Sequence, residues 1–266
     1  RRRGLDAPGR GAAIPGVSLA RATVTSMLGA APSVAFTGID AFAIGGESAD
    51  QRRDAIETRY ELLGDATTLG RSTLEAFDSV DLVQSVDTTT SVVYPGGSLA
   101  GALKVAAALI KGDIGIKVIT VDIGGWDHHS NQPARMDDVG GDLAASLAAF
   151  WEDLGPCQGS TTTLCMTEFG RRIDENGANG TDHGHGGLMI ALGGGLAGGR
   201  VLLKDGVWPG LAPGDRYNGE DLQATTDFRD VFAEILANHM GSSVGELTAV
   251  FPDFTVDAAN FPGLYA

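Results

Sequence analysis

The sequence predicts an α/β fold with a mostly parallel sheet flanked by helices, and three observations predict it. Short apolar, β-branched runs stand at 118–121, 161–167 and 188–192; a helical pattern at 139–154 separates the first two; and a second amphipathic pattern follows at 228–236. Strand, helix, strand in that order is the signature of a sheet covered by helices. One structural domain is expected, with residues 1–112 as an N-terminal part carrying helical cap elements and 113–266 as the α/β core.

Along the chain, residues 1 to about 30 are Gly/Ala/Arg-rich with little pattern, and Arg1-Arg2-Arg3 is not followed by the apolar stretch of a signal peptide. Val34-Ala35-Phe36 and Ala41-Phe42-Ala43-Ile44 read as two extended pieces ended by Gly45-Gly46. Ile56, Tyr60 and Leu63 recur at helical spacing up to Gly64, and Leu74, Phe77, Val80, Leu82 and Val83 suggest a second, less regular helix. Tyr94-Pro95-Gly96-Gly97 is a turn. Ser98 is then a fair N-cap for a helix faced by Leu99, Leu103, Ala106 and Ile110, which Gly112 ends. Val118-Ile119-Thr120-Val121 has the look of a buried parallel strand. Val139, Leu143, Leu147, Phe150 and Leu154 form a helix of four to five turns closed by Gly155-Pro156.

Composition narrows the function classes. The chain has 266 residues, enough to bury a core, and 43% apolar residues, which a packed interior needs. A formal charge of −15 repels phosphate backbones and anionic lipid, so nucleic acid and membrane surfaces are poor partners while cations are attracted. No apolar run reaches bilayer length. The only cysteines, Cys157 and Cys165, either pair or stay reduced, and their spacing is no metal-binding pattern.

Chemistry concentrates in two segments. Trp126-Asp127-His128-His129 follows the strand at 118–121, and Thr181-Asp182-His183-Gly184-His185 precedes the strand at 188–192, so four of the five histidines fall in two short loops. Ligands gather beyond the carboxyl ends of strands in open α/β sheets, where Glu168, after the strand 161–167, also lies. Imidazole nitrogen and carboxylate oxygen are what zinc, manganese and iron ions accept, so Asp127, His129, Glu168, Asp182, His183 and His185 are the candidate metal ligands. His128 and His129 are adjacent and point different ways, and His129 is the expected ligand. Arg171 either clamps an anionic substrate or neutralises the carboxylates. His239 reads as a helix-end residue. Gly193-Gly194-Gly195 lacks the Lys-Ser/Thr of a phosphate-binding loop and reads as a turn.

The segments GGWDHHSNQ (124–132), MTEFGRR (166–172), GTDHGHGGLMIALGGG (180–195) and TTDFRDVFAEIL (225–236) resemble a bacterial family of exported proteins labelled as a domain of unknown function, number 1501. The likeness runs from about Val34 to Met240. That family looks like a branch of the alkaline phosphatase superfamily, with its sulfatases and cofactor-independent phosphoglycerate mutases. The resemblance implies an alkaline phosphatase-like α/β core and a divalent-metal site (zinc, manganese, calcium or magnesium) that hydrolyses phosphate or sulfate esters, with a small anionic ester as substrate. Asp127 and His129 match the Asp and His that one loop gives the first metal. His185, or else His183, matches the later histidine, and Glu168 lies where a strand ends on Asp-His of a second metal. The place of that histidine is taken by Phe169. The resemblance further implies twin-arginine export to the periplasm or medium. It also implies a first strand lying ahead of this chain, so that a central place in the sheet would be unfilled or completed by a missing N-terminal segment or a partner chain. The rival expectation is a secreted non-catalytic binding or assembly protein with a degenerate site.

Overall fold

The computed structural model describes residues 14–29, 31–43, 45, 48–62 and 68–265. The expectations for Arg1-Arg2-Arg3, Ile44, Gly46, Leu63 and Gly64 lie outside them. Within the described residues the chain is mixed α/β, with six α-helices and seven short strands in three sheets. It divides into two units, Arg1–Gly124 with Asp142–Leu154, and Gly125–Gly141 with Gly155–Ala266.

In the first unit, β1 (Gly16–Ser18) lies between β2 (Ser33–Ala35) and β3 (Val118–Thr120), parallel to both. All three residues of β1 are buried, Val17 and Ser18 completely. The expected vacancy at the sheet centre is therefore corrected: in this sheet the central place is held by residues 16–18 of the chain itself. Hydrogen bonds from Leu19 N to Thr120 O and from Phe36 N to Ser18 O continue the ladder beyond the strand ends. Being an edge strand, β3 is only half-buried, with Val118 38% exposed, which corrects its reading as a fully buried strand. Ala41 closes a 3-10 turn at Ile39–Ala41, and Phe42 and Ala43 are bends, which corrects the extended piece expected from Ala41; Phe42 lays its ring against Phe36, centroids 4.8 Å apart.

Two helices, α1 (Ala49–Leu62) and α2 (Thr68–Gln84), run where the helical spacing places them. Arg53 of α1 ties them together, giving its fork to both oxygens of Asp81 and its Nε to Glu57. In α3 (Ser98–Lys111) the capping residue is Gly97 at φ 105°, with no side-chain cap, so Ser98 is the first helical residue and not the cap. A glycine suits that place because other residues resist such a φ. Leu99, Leu103, Ala106 and Ala107 are buried on α3. The long α4 (Gln132–Leu154) has its residues 142–154 in this unit, and Gly155 at φ 50° closes it. Near its end Asp153, 8% exposed, accepts from Thr90 Oγ1 (2.5 Å), Lys111 Nζ (2.6 Å) and Tyr94 OH (3.0 Å).

The second unit departs from the parallel expectation. Here β4 (Thr162–Cys165) and β7 (Ile190–Gly193) pair antiparallel, Thr162 opposite Gly193. The physical reason is the connection: no α-helix lies between residues 165 and 190, and a parallel pair needs a crossover to bring the chain back. Instead the connection forms a small antiparallel ribbon of β5 (Gly170–Arg171) and β6 (His183–Gly184). Two helices complete the unit, α5 (Phe228–Asn238) capped by Asp227 and α6 (Val244–Val250) opened by a Ser243/Glu246 capping box. Ala233, Leu247 and Val256 form a buried cluster, with Leu236, Phe251, Phe254 and Phe261 around it. His239 is the C-cap of α5, and its Nδ1 lies 3.2 Å from Thr162 Oγ1. Cys157 and Cys165 are both free.

Candidate metal centre

Everything in the site belongs to the second unit, and glycine is what lets its loops meet. At Gly180 an added Cβ would collide with the backbone of His128 and His129, so the two segments touch main chain to main chain only because no side chain stands there. Hydrogen bonds Thr181 N to His128 O (3.1 Å), Gln132 N to Asn179 O (2.8 Å) and Asn131 N to Ala178 O (3.1 Å) then lock the loop at 127–132 to the loop at 176–182. Asn176 Oδ1 accepts from Ala178 N and Gly180 N, and its Nδ2 donates to His129 O and Asp182 Oδ1, so it folds the second loop and binds the first.

This docking brings Asp127, His129 and His183 together, all exposed, with one ligand atom from each. Asp127 Oδ1 lies 2.9 Å from His183 Nε2 and 3.0 Å from His129 Nε2, and the two Nε2 atoms are 3.2 Å apart. Two ligands about 2.1 Å from a common ion stand roughly 3.0 Å apart at a right angle and about 3.4 Å apart at the tetrahedral angle. The observed spacings thus fit a small ion without rearrangement.

The tautomer fits too. His129 Nδ1 lies 2.8 Å from Asp182 Oδ1, and an ionised carboxylate can only accept, so Nδ1 carries a proton and Nε2 is the ring nitrogen that faces the cluster, where an ion bound there would take its lone pair. The hydrogen bond with His129, then that from Asn176, holds Asp182 below the usual carboxylate range. Asp127 is brought down from 3.8 to about 2, chiefly by the Arg171 guanidinium and next by His183. Both carboxylates are therefore ionised at neutral pH, as a metal-binding Asp127 must be.

Arg171 is engaged on several sides. Nη1 donates to Asp127 Oδ1 at 2.9 Å, Nε to Thr181 Oγ1 at 2.9 Å, and Nη2 to Thr181 O; Thr181 in turn donates to Gln132 Oε1 at 2.6 Å. Of the two readings open to it, charge neutralisation is the one these contacts display.

The remaining candidates lie elsewhere. His128 is 2% exposed and its Nε2 donates to Gly125 O at 2.6 Å, so it is a packing residue. His185 stacks its ring on Tyr217, centroids 3.8 Å apart and 13° from parallel, and is not in the cluster. Glu168 is exposed and also outside it. Phe169 sets its ring 4.2 Å from that of His183. Sequence reading missed Asn176, Gln132 and Thr181 as supports; the pairs Asn176-Gly177 and Asn179-Gly180 were the visible signal of a tight turn beside the histidines.

No curated protein and no solved structure matches the chain. A family model does, over residues 45–248, which include both histidine segments: the chain belongs to the family described as "Protein of unknown function (DUF1501)".

Proposed function

We propose that this protein is a divalent-metal-dependent hydrolase of small phosphate or sulfate esters, with Asp127, His129 and His183 as the metal ligands and Asp182 orienting His129. The observation that carries the reading is the convergence of those three ligand atoms at 2.9 to 3.2 Å, with the His129 tautomer fixed from behind. Two imidazoles with one carboxylate suit zinc better than the oxygen-loving calcium or magnesium. Three protein ligands leave a coordination position open, as hydrolytic zinc sites do. When bound, such an ion supplies Lewis acidity and an activated water. The chain's own residues set the stage: Asp182 and Asn176 hold His129, Arg171 balances the Asp127 charge, and the negative chain as a whole favours cations. The likeness to alkaline phosphatase-like enzymes supports the substrate class and export from the cell.

A second reading has its own observation. Phe169 stands where that superfamily has a metal-binding histidine, and among the described residues only one cluster has metal-ligand spacing. This favours a secreted protein that binds a metal for structure or assembly. Metal analysis of the purified chain, followed by a panel of phosphate and sulfate monoesters, tests both. Bound zinc with metal-dependent turnover supports hydrolysis. Bound zinc without turnover on any ester favours the second reading, and no affinity for divalent ions overturns both.

A further inference from the structure

The ribbon that delivers His183 alternates large and absent side chains. Phe169 and Arg171 flank Gly170 on one strand, and His183 and His185 flank Gly184 on the other, with Arg171 opposite His183 and Gly170 opposite Gly184. Side chains two apart on a strand, and those directly across from each other, share a face. Arg171 and His183 therefore stand on one side of the ribbon, and Phe169 and His185 lie in the bends just beyond its strands, where His185 O accepts from Gly170 N. Two contacts agree: Arg171 reaches Asp127, and Phe169 lies on His183. The bridge between Arg172 and Asp221 holds the segment at 217–221 beside this ribbon, and there Tyr217, 37% exposed, stacks on the exposed His185.

A stacked aromatic pair beside a charged cluster is more than packing requires. A buried pair would serve the core, whereas His185, two residues along the chain from His183, and the Tyr217 stacked on it both stay exposed, at a cost in exposed apolar area. We infer that His185 and Tyr217 form a ring-stacking subsite, which takes the planar aryl group of an anion whose oxygens engage the ion at Asp127, His129 and His183. This rests on the metal reading above and adds what that reading leaves open, the group carried by the anion. A flat ring fits because aromatic faces stack at the 3.8 Å separation this pair already shows, while an alkyl group gains little from a π-face.

Phenylphosphonate and methylphosphonate test it, since they share a head and differ only in the ring. Isothermal titration of the zinc-loaded full chain should give roughly tenfold tighter binding of phenylphosphonate. Tyr217→Leu, which keeps bulk and removes the ring, should erase most of that preference. The affinities for zinc and for methylphosphonate should stay as they were. Should that variant fail to fold, His185→Gln reads the same loss. Equal affinities of the two phosphonates for zinc-loaded wild type overturn the subsite alone, as does a preference that survives both substitutions. Failure of the chain to bind zinc at all overturns the metal reading and the subsite with it.

Discussion

The imidazole of His129 is held between two partners, with Asp182 Oδ1 2.8 Å from its Nδ1 and Asp127 Oδ1 3.0 Å from its Nε2. The first contact places a proton on Nδ1, and the second sets Nε2 beside the carboxylate with which it would share a bound ion. Asp182 thus acts on the cluster through His129 while contributing no atom to the group itself.

Asp182→Asn should therefore weaken zinc binding by about 10- to 100-fold, the usual cost of losing a carboxylate behind a metal-binding imidazole. Competition with a chromophoric chelator measures it. An affinity equal to wild type would show that the tautomer is set by something else.

Metal should stabilise the fold, because the ligands come from segments more than fifty residues apart and do not converge in the unfolded chain. With free zinc at 100 times its dissociation constant the gain is about 2.7 kcal/mol, and a chelator should remove it as a drop in Tm. His129→Ala should abolish the chelator-sensitive part. His239→Ala, at the end of α5, should leave it intact.

Gly180→Ala should damage the site as much as the loss of a ligand. Its Cβ would meet the backbone of His128 and His129, which cannot rotate aside, so the two loops must part. The expected outcome is loss of zinc affinity together with a destabilisation of roughly 1 to 3 kcal/mol. Gly177→Ala, where an added Cβ has nothing within 4 Å, is the control and should bind zinc normally.

A pH dependence should arise in the first unit from Asp153. Burial would raise its carboxyl, but hydrogen bonds from Lys111, Thr90 and Tyr94 outweigh that and leave it below the ordinary value of 3.8. A carboxylate whose folded value is depressed contributes stability that is fully present above its unfolded value. That contribution fades as pH falls from about 4 toward the folded value. Asp153→Asn should cost about 1 to 3 kcal/mol at neutral pH, because Lys111 and Tyr94 lose a buried acceptor. Its stability should also change less than that of wild type between pH 5 and pH 3, as urea titrations at each pH would show.

Much of the architecture was legible because periodicity is a local property. The helices α3, α4 and α5 and the strands β3, β4 and β7 stand on runs of apolar residues whose spacing needs no knowledge of the partner. The central strand β1 was not legible: Gly16-Val17-Ser18 carries one β-branched residue, and its burial comes from the strands at 33–35 and 118–120 that flank it. The antiparallel pairing of β4 and β7 was hidden for a related reason. Both runs read as strands, but direction depends on how the intervening chain returns.

By itself the sequence determined which chemistry is present: two histidine-carboxylate segments in an acidic chain, with Asp127 and His129 on one of them. Only the tertiary structure decided that His183 joins them while His185 turns to Tyr217, and that Asp182 serves as the support of His129. His183 and His185 are equivalent to any reading of spacing, since residues two apart on a strand face the same way. What separates them is the point at which the loop at 127–129, some fifty residues earlier, docks onto Gly180, and a contact between distant segments leaves no mark in the local pattern of either.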